Sequence, residues 1–184
     1  GDNPEWKALN FDDSSWKSVA TDITWQGQNM LKENTCGWYR VKFVLPKSML
    51  ENSDNKSVVV FDLNKIDDAD EAYLNGKLIG KTGSIPQQGV GYETKFGVHR
   101  IYSLPVNDAR LNWGGENILA VRAYNGTGDG GMNGGPITIS VPSNSDYIEI
   151  TSSQTDVTRK TGMCTVKLHN QLKVAQKGKL VITT

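Results

Sequence analysis

The sequence has little of what would narrow its chemistry quickly. It holds two cysteines, Cys36 and Cys164, far apart and neither with a second Cys or His at metal-ligand spacing, which argues against a zinc site. Two buried thiols are the plainer expectation and a single disulfide the alternative, so cysteine usage leaves the compartment open. Net charge is also missing, because 20 Lys and Arg balance 20 Asp and Glu. Without a global field, neither nucleic acid nor an anionic membrane is an expected partner, and a neutral one fits better. No apolar run approaches the roughly 20 residues that span a bilayer, so a soluble chain is expected. The first residues lack a charged and apolar leader, and any export signal is expected to have been removed. What the sequence does have is 19 glycines, five tryptophans and six tyrosines, set among short β-branched and aromatic runs. That texture predicts an all-β class.

The chain is organised around Asp67 to Gly83, DDADEAYLNGKLIGKTG. Asn75-Gly76 at its centre suits a two-residue hairpin turn, whose central positions both need φ > 0. Upstream, SVVVFDL at 57–63 reads as a strand buried on at least one face. Further strands are predicted at 37–45, 98–104, 117–124 and 137–141. In the first of these Tyr39, Val41, Phe43 and Leu45 share one face, and Trp38, Arg40 and Lys42 the other. Arg40 is expected to pair with Asp67, Asp68 or Asp70. Asp12 or Asp13 suits an Asx turn that tucks Trp16 into the core. One helical turn is expected within 47–56 and a short helix over 107–111. From Pro142 the texture changes, with a linker at 143–145 and strands near 147–152, 162–170 and 178–183. Three strands bury too little to stand alone. The expected division is therefore a domain over 1–142 and a truncated second β domain over 143–184.

Chemical motifs largely fail. GKLIGKT at 76–82 is one residue short of a P-loop and lies on a hairpin. Gly126, Gly128 and Gly131 satisfy G-x-G-x-x-G, but no helix can start in the sequence that follows. Asp62 to Asp70 has acidic spacing, yet Lys65 and Ile66 stand where an EF-hand needs a ligand and a glycine; that excludes an EF-hand, though not every calcium site. No cofactor is indicated. There is no G-x-S-x-G elbow, and His99 and His169 lie in no nucleophile arrangement. A spatial carboxylate pair for glycoside hydrolysis stays open, since the two groups need only be close in the fold.

Five stretches carry a family resemblance: FDDSSW at 11–16, GWYR at 37–40 leading to Pro46, IDDADEAYLNGKLIG at 66–80, HRIYSLP at 99–105 and GGENILAVRAYN at 114–125. In this order the chain resembles the sugar-binding jelly-roll domain of glycoside hydrolase family 2, especially the version in bacterial sialate O-acetylesterase-like proteins. The resemblance implies a galactose-binding-domain-like β-sandwich, an accessory module of a secreted or periplasmic carbohydrate-active enzyme, with the catalytic domain of the same polypeptide as a partner. It implies an immunoglobulin-like second domain, of which 147–184 would be the opening strands. The catalytic glutamates of the hydrolases and the serine motif of the esterases have no counterpart here, so no catalytic residue is expected in this fragment. The matched residues are chiefly fold determinants.

The expected function is a non-catalytic carbohydrate-binding module; a spacer that positions a catalytic domain is the alternative, and an enzyme the third reading. Sugar recognition needs an aromatic face and planar polar groups, and three loops hold them. They are Trp25 to Asn29 (Trp25, Gln26), Gln87 to Glu93 (Gln88, Tyr92, Glu93) and Gly126 to Asn133 (Asp129, Asn133). The competing reading makes Trp25 and Tyr92 core residues.

Overall fold

The computed structural model describes residues 2–30, 33–51, 53, 57–87, 91–143, 146, 148–156 and 163–170. The chain divides into two compact units, Gly1–Val141 and Pro142–Thr184.

In the first unit the described strands are β1 (Thr35–Val44), β2 (Val58–Asp67), β3 (Ala69–Leu74), β4 (Lys77–Thr82), β5 (His99–Pro105), β6 (Glu116–Asn125), β7 (Gly131–Met132) and β8 (Thr138–Ser140), with a 3-10 turn at Pro4–Lys7 and a short α-helix, α1 (Lys47–Glu51). One antiparallel sheet runs β1-β6-β3-β4; the other runs β5-β2-β7, with β8 also paired to β2. Alternation along the strands decides which side chains meet. Val59, Phe61 and Leu63 of β2 and Leu104 of β5 join Tyr39, Ala72, Leu74, Leu119 and Val121 of the other sheet in a single buried cluster. The architecture is thus a β-sandwich, with about 1.5–3 kcal/mol gained per fully buried large apolar side chain.

The hairpin forms as the sequence dictates. Asn75 and Gly76 have φ of 50° and 82°, and Leu74 pairs with Lys77. Asn75 does more than turn the chain: its amide nitrogen donates to the Arg110 carbonyl at 2.8 Å and to Asn117 Oδ1 at 2.9 Å, and its oxygen accepts from the Ile118 amide at 2.8 Å. The tip of the hairpin is thereby fixed to the start of β6.

Several expectations need correction. Arg40 does not pair with Asp67, Asp68 or Asp70. It points to the outer face of β1, where its Nε donates to Asp13 Oδ2 at 2.8 Å and its remaining nitrogens donate to the carbonyls of Trp6, Ala8 and Phe11. Asp70 points inward instead and takes Arg100 of β5, Nε to Oδ1 at 2.8 Å. The Asx turn exists, with the Ser14 amide donating to Asp12 Oδ1 at 2.9 Å. Trp16, however, is half-buried against Trp6 and Phe11, at centroid distances of 5.4 and 5.6 Å, outside the main core. Residues 107–111 make two successive turns rather than a helix, because the Asp108 carboxylate takes the Arg110 amide at 2.9 Å and so competes with helical bonding. Cys36 is a buried free thiol; the Cys164 side chain and the strand expected at 178–183 lie outside the described residues.

In the second unit β9 (Ile148–Asp156) and β10 (Met163–Asn170) pair antiparallel, with an irregularity between Lys167 and Leu168.

Candidate functional site

The chain passes from one sheet to the other at Asp67-Asp68, between the end of β2 and the start of β3. The peptide bond between them is cis. Two loops meet at this corner. The Asp68 carboxylate accepts from the Gly126 amide at 2.8 Å and from the Thr94 hydroxyl, and the Tyr92 hydroxyl faces it. The Lys95 amide donates to the Asp68 carbonyl at 2.9 Å. One buried acid therefore ties the loop holding Tyr92 and Thr94 to the glycine-rich loop after β6.

The first loop reaches the same glycine-rich stretch. The Trp25 amide donates to the Gly130 carbonyl at 2.9 Å. Gln26 spends both ends of its amide there, Nε2 on the Gly128 carbonyl at 2.7 Å and Oε1 on the Gly130 amide at 2.9 Å. Glu33 Oε1 accepts from the Gly128 amide at 3.1 Å. Gln26, Glu33, Gly128 and Asp129 line an open pocket of about 520 Å³, within the volume range of small-molecule sites.

Burial works against ionising either acid at the corner, and their partners separate them. Hydrogen bonds from Thr94, Tyr92 and Gly126 overcome that burial and hold Asp68 below the ordinary carboxylate value. Burial pushes Asp67 up to about 7, helped by its hydrogen bond to Asp68 and by that group's negative charge. One raised and one lowered carboxyl is the pattern of an acid and base couple. Here Asp68 is 5% exposed and surrounded by its partners, so it serves as a tie between loops rather than a reactive group. Burial and the hydrogen bond to Asp68 push the Tyr92 phenol up to about 12.

The seven expected site residues separate under this geometry. Gln26 and Asp129 line one pocket, and Asp129 is exposed with its charge reaching Asp67. Tyr92 is 40% exposed and lies edge-on to Tyr124 at 5.2 Å, packed so closely over Gly126 that a Cβ there would sit 2.6 Å from its ring. Trp25 is not available to a ligand: it is 2% exposed, stacked on Tyr39 with Nε1 donating to the phenol oxygen at 2.6 Å. Aromatic burial prevails because Tyr39 satisfies the indole N–H inside the core. Glu93 turns to Lys95, 2.7 Å away, and Asn133 follows β7 toward Lys65; neither lines the pocket. Gln88 lies outside the described residues. Sequence reasoning missed Glu33 and the tying role of Asp68. The adjacent acids at 67–68 were visible, but nothing local in the sequence tells a salt-bridge partner from a loop anchor. Among the described residues, no group of three or more His, Cys, Asp and Glu is placed to hold a metal ion.

No family model matches the sequence, and neither does any curated protein. Solved structures do match. A glycosyl hydrolase family 2 member from Bacteroides cellulosilyticus aligns with a TM-score of 0.55 at 17% identity, covering 95% of this chain and 24% of its own. Bacteroides uniformis beta-glucuronidase 2, covalently bound to cyclophellitol-6-carboxylate aziridine, aligns with a TM-score of 0.54 at 21% identity, covering 83% of this chain and 19% of its own. At such identities the likeness is one of fold: this chain has the β-sandwich fold found in family 2 glycoside hydrolases, and it spans a quarter or less of those proteins.

Proposed function

We propose that this chain is a non-catalytic accessory module of a larger secreted or periplasmic carbohydrate-active enzyme, of the glycoside hydrolase family 2 or sialate O-acetylesterase type, and that its loop end holds a neutral saccharide. The observation that carries the reading is that two loops meet at one acidic corner and the third bonds the glycine-rich one, where Gln26, Glu33, Gly128 and Asp129 line an open pocket. Carboxylates accept from sugar hydroxyls, and the glycine backbone lets a ring approach closely. The fold shared with segments of much longer glycoside hydrolases supports the accessory role, and the chain after residue 142, a compact unit of its own, is read as the opening of an immunoglobulin-like domain. In the whole enzyme the catalytic domain would contribute the rest of the saccharide site.

A spacer without a ligand is the second reading, favoured by two observations: Trp25 is buried, and both ends of the Gln26 amide are already spent. Titration of the chain with neutral oligosaccharides, followed by amide chemical shifts, separates the readings. The module reading expects shifts at Gly126 to Asp129 that Asp129→Ala weakens, and no glycosidase or esterase activity in the chain itself. No shift at millimolar sugar supports the spacer, and turnover overturns both.

A further inference from the structure

A second cleft lies away from the acidic corner, along the edge of β1 that no strand covers among the described residues. It has a volume of about 420 Å³ and adjoins another of about 200 Å³; Trp16, Lys17 and Trp38 line both. The wall opposite β1 is already fixed. Gln28 holds the Ala20 backbone with hydrogen bonds of 3.0 and 3.1 Å, and the Gly135 amide donates to the Thr21 carbonyl at 3.2 Å. A ligand entering this cleft would not have to order the chain first, which removes one of the larger costs of binding.

The charge in the cleft is opposite to that of the loop end. Lys17, Arg40 and Lys42 line it against a single carboxylate, Asp13. Arg40 is 1% exposed and its donors are committed to Asp13 and three carbonyls, so it fixes the floor rather than meeting a ligand. Lys42 keeps its ammonium 3.2 Å from Asp13 and is 53% exposed. Lys17 is exposed and pairs with no carboxylate among the described residues. Ser18 and Thr21 complete the polar lining. Trp16 is half-buried and lines both cavities, whereas Trp38 already stacks on Tyr73 and donates its indole N–H to Asp2.

We propose that this cleft is a second saccharide site, and that it takes an acidic sugar, a uronic or sialic acid unit of a glycan. A pyranose ring has an apolar C–H face for Trp16, its hydroxyls suit Ser18 and Thr21, and its carboxylate suits Lys17 with Lys42 at the opposite rim. A neutral sugar would leave the excess positive charge unanswered. The proposal does not depend on the loop-end reading, since the two sites share no lining residue.

The test titrates the chain with trigalacturonate and, in parallel, with galactotriose, followed by amide shifts and tryptophan fluorescence. Trigalacturonate is expected to shift residues 16–21 and 38–42, to bind more weakly as salt rises, and to lose about tenfold in affinity in Lys17→Glu. The melting temperature of that variant should match the parent, because Lys17 is exposed; Trp16→Leu is the second variant and should abolish the fluorescence response. Asp129→Ala should leave this binding intact, which keeps it distinct from any loop-end site. The proposal is overturned by the absence of shifts in the cleft at millimolar trigalacturonate, by equal affinity for galactotriose, or by an unchanged affinity in Lys17→Glu. It is also overturned if polyglutamate binds along β1 where neither sugar does, for the cleft would then be a strand-edge peptide site.

Discussion

Two arginines hold two irregular stretches of the molecule in the same way. Arg100 of β5 donates to one carboxylate, Asp70, and to the carbonyls of Asp68, Lys95 and Val98. Arg40 of β1 donates to one carboxylate, Asp13, and to the carbonyls of Trp6, Ala8 and Phe11. The guanidinium fork suits both tasks, since it offers five fixed donors to backbone that would otherwise need water. The surroundings differ. Arg100 and Asp70 are both 0% exposed and join strands of opposite sheets, and Tyr102 adds a hydrogen bond to Asp70 at 2.7 Å. Asp13 is 16% exposed and belongs to a loop laid over the outer face. The same bonding pattern therefore closes the core at the acidic loop end and merely straps the N-terminal segment at the basic cleft.

Breaking each pair tests that difference. Arg100→Leu leaves Asp70 enclosed without its counter-charge, and the expected loss is about 3–5 kcal/mol by urea unfolding. Adding Asp70→Leu should recover a good part of it, since an apolar pair can replace a buried ionic one. Arg40→Ala should cost less, about 1–3 kcal/mol, because Asp13 can turn to water. It should also leave residues 2–13 open to protease while the loop end stays protected. If Arg40→Ala proved the more destabilising, the distinction between core closure and strap would be wrong.

How far the sequence disclosed these two regions depends on the range of the interactions involved. The hairpin at Asn75-Gly76, the strand faces and the Asx turn at Asp12 were legible because their causes lie within a few residues. Arg40 was singled out as a strand arginine needing a carboxylate, but its partner lies 27 positions away, and alternation alone cannot choose among acids on either face. Arg100 follows the inward period shared with Tyr102 and Leu104, a signal that was available in HRIYSLP and marks it as a buried cation. At the candidate site the loops were legible as polar and glycine-rich. Their contacts were not, because Gln26 meets Gly130 across 104 positions. Trp25 went astray for a related reason: its polar neighbours are exposed while its ring enters the core, a split that only the position of Tyr39 decides.

A smaller effect is expected at the hairpin that lies under the N-terminal segment. Gly76 has φ of 82°, and a Cβ added there would sit 3.6 Å from the Lys7 carbonyl, so space is not the obstacle. Gly76→Val should cost about 1–2 kcal/mol through backbone strain alone. Gly76→Asn, which tolerates φ > 0, should recover most of the loss. An equal loss in both variants would place the cost in packing against Lys7 and make the hairpin part of the strap.

The contrast that separates the two regions most directly is in their response to pH. Burial with the neighbouring Asp68 raises Asp67 to about 7 in the folded chain, against about 3.9 when unfolded. Between those values the folded state holds a proton that the unfolded state has lost. The contribution of Asp67 is therefore complete below about pH 4 and declines as pH rises toward 7. Asp13 has the opposite sign. Its hydrogen bond from Arg40 holds the carboxyl below the ordinary value, so its contribution is present above about pH 4 and is lost on acidification through the lowered value. Melting temperature followed from pH 3 to pH 8 should thus show Asp67→Asn flattening the fall on the neutral side and Asp13→Asn flattening the fall on the acid side. If Asp67→Asn left the neutral side unchanged, Asp67 would not be holding a proton for Asp68, and the tie at the loop end would rest on Thr94, Tyr92 and Gly126 alone.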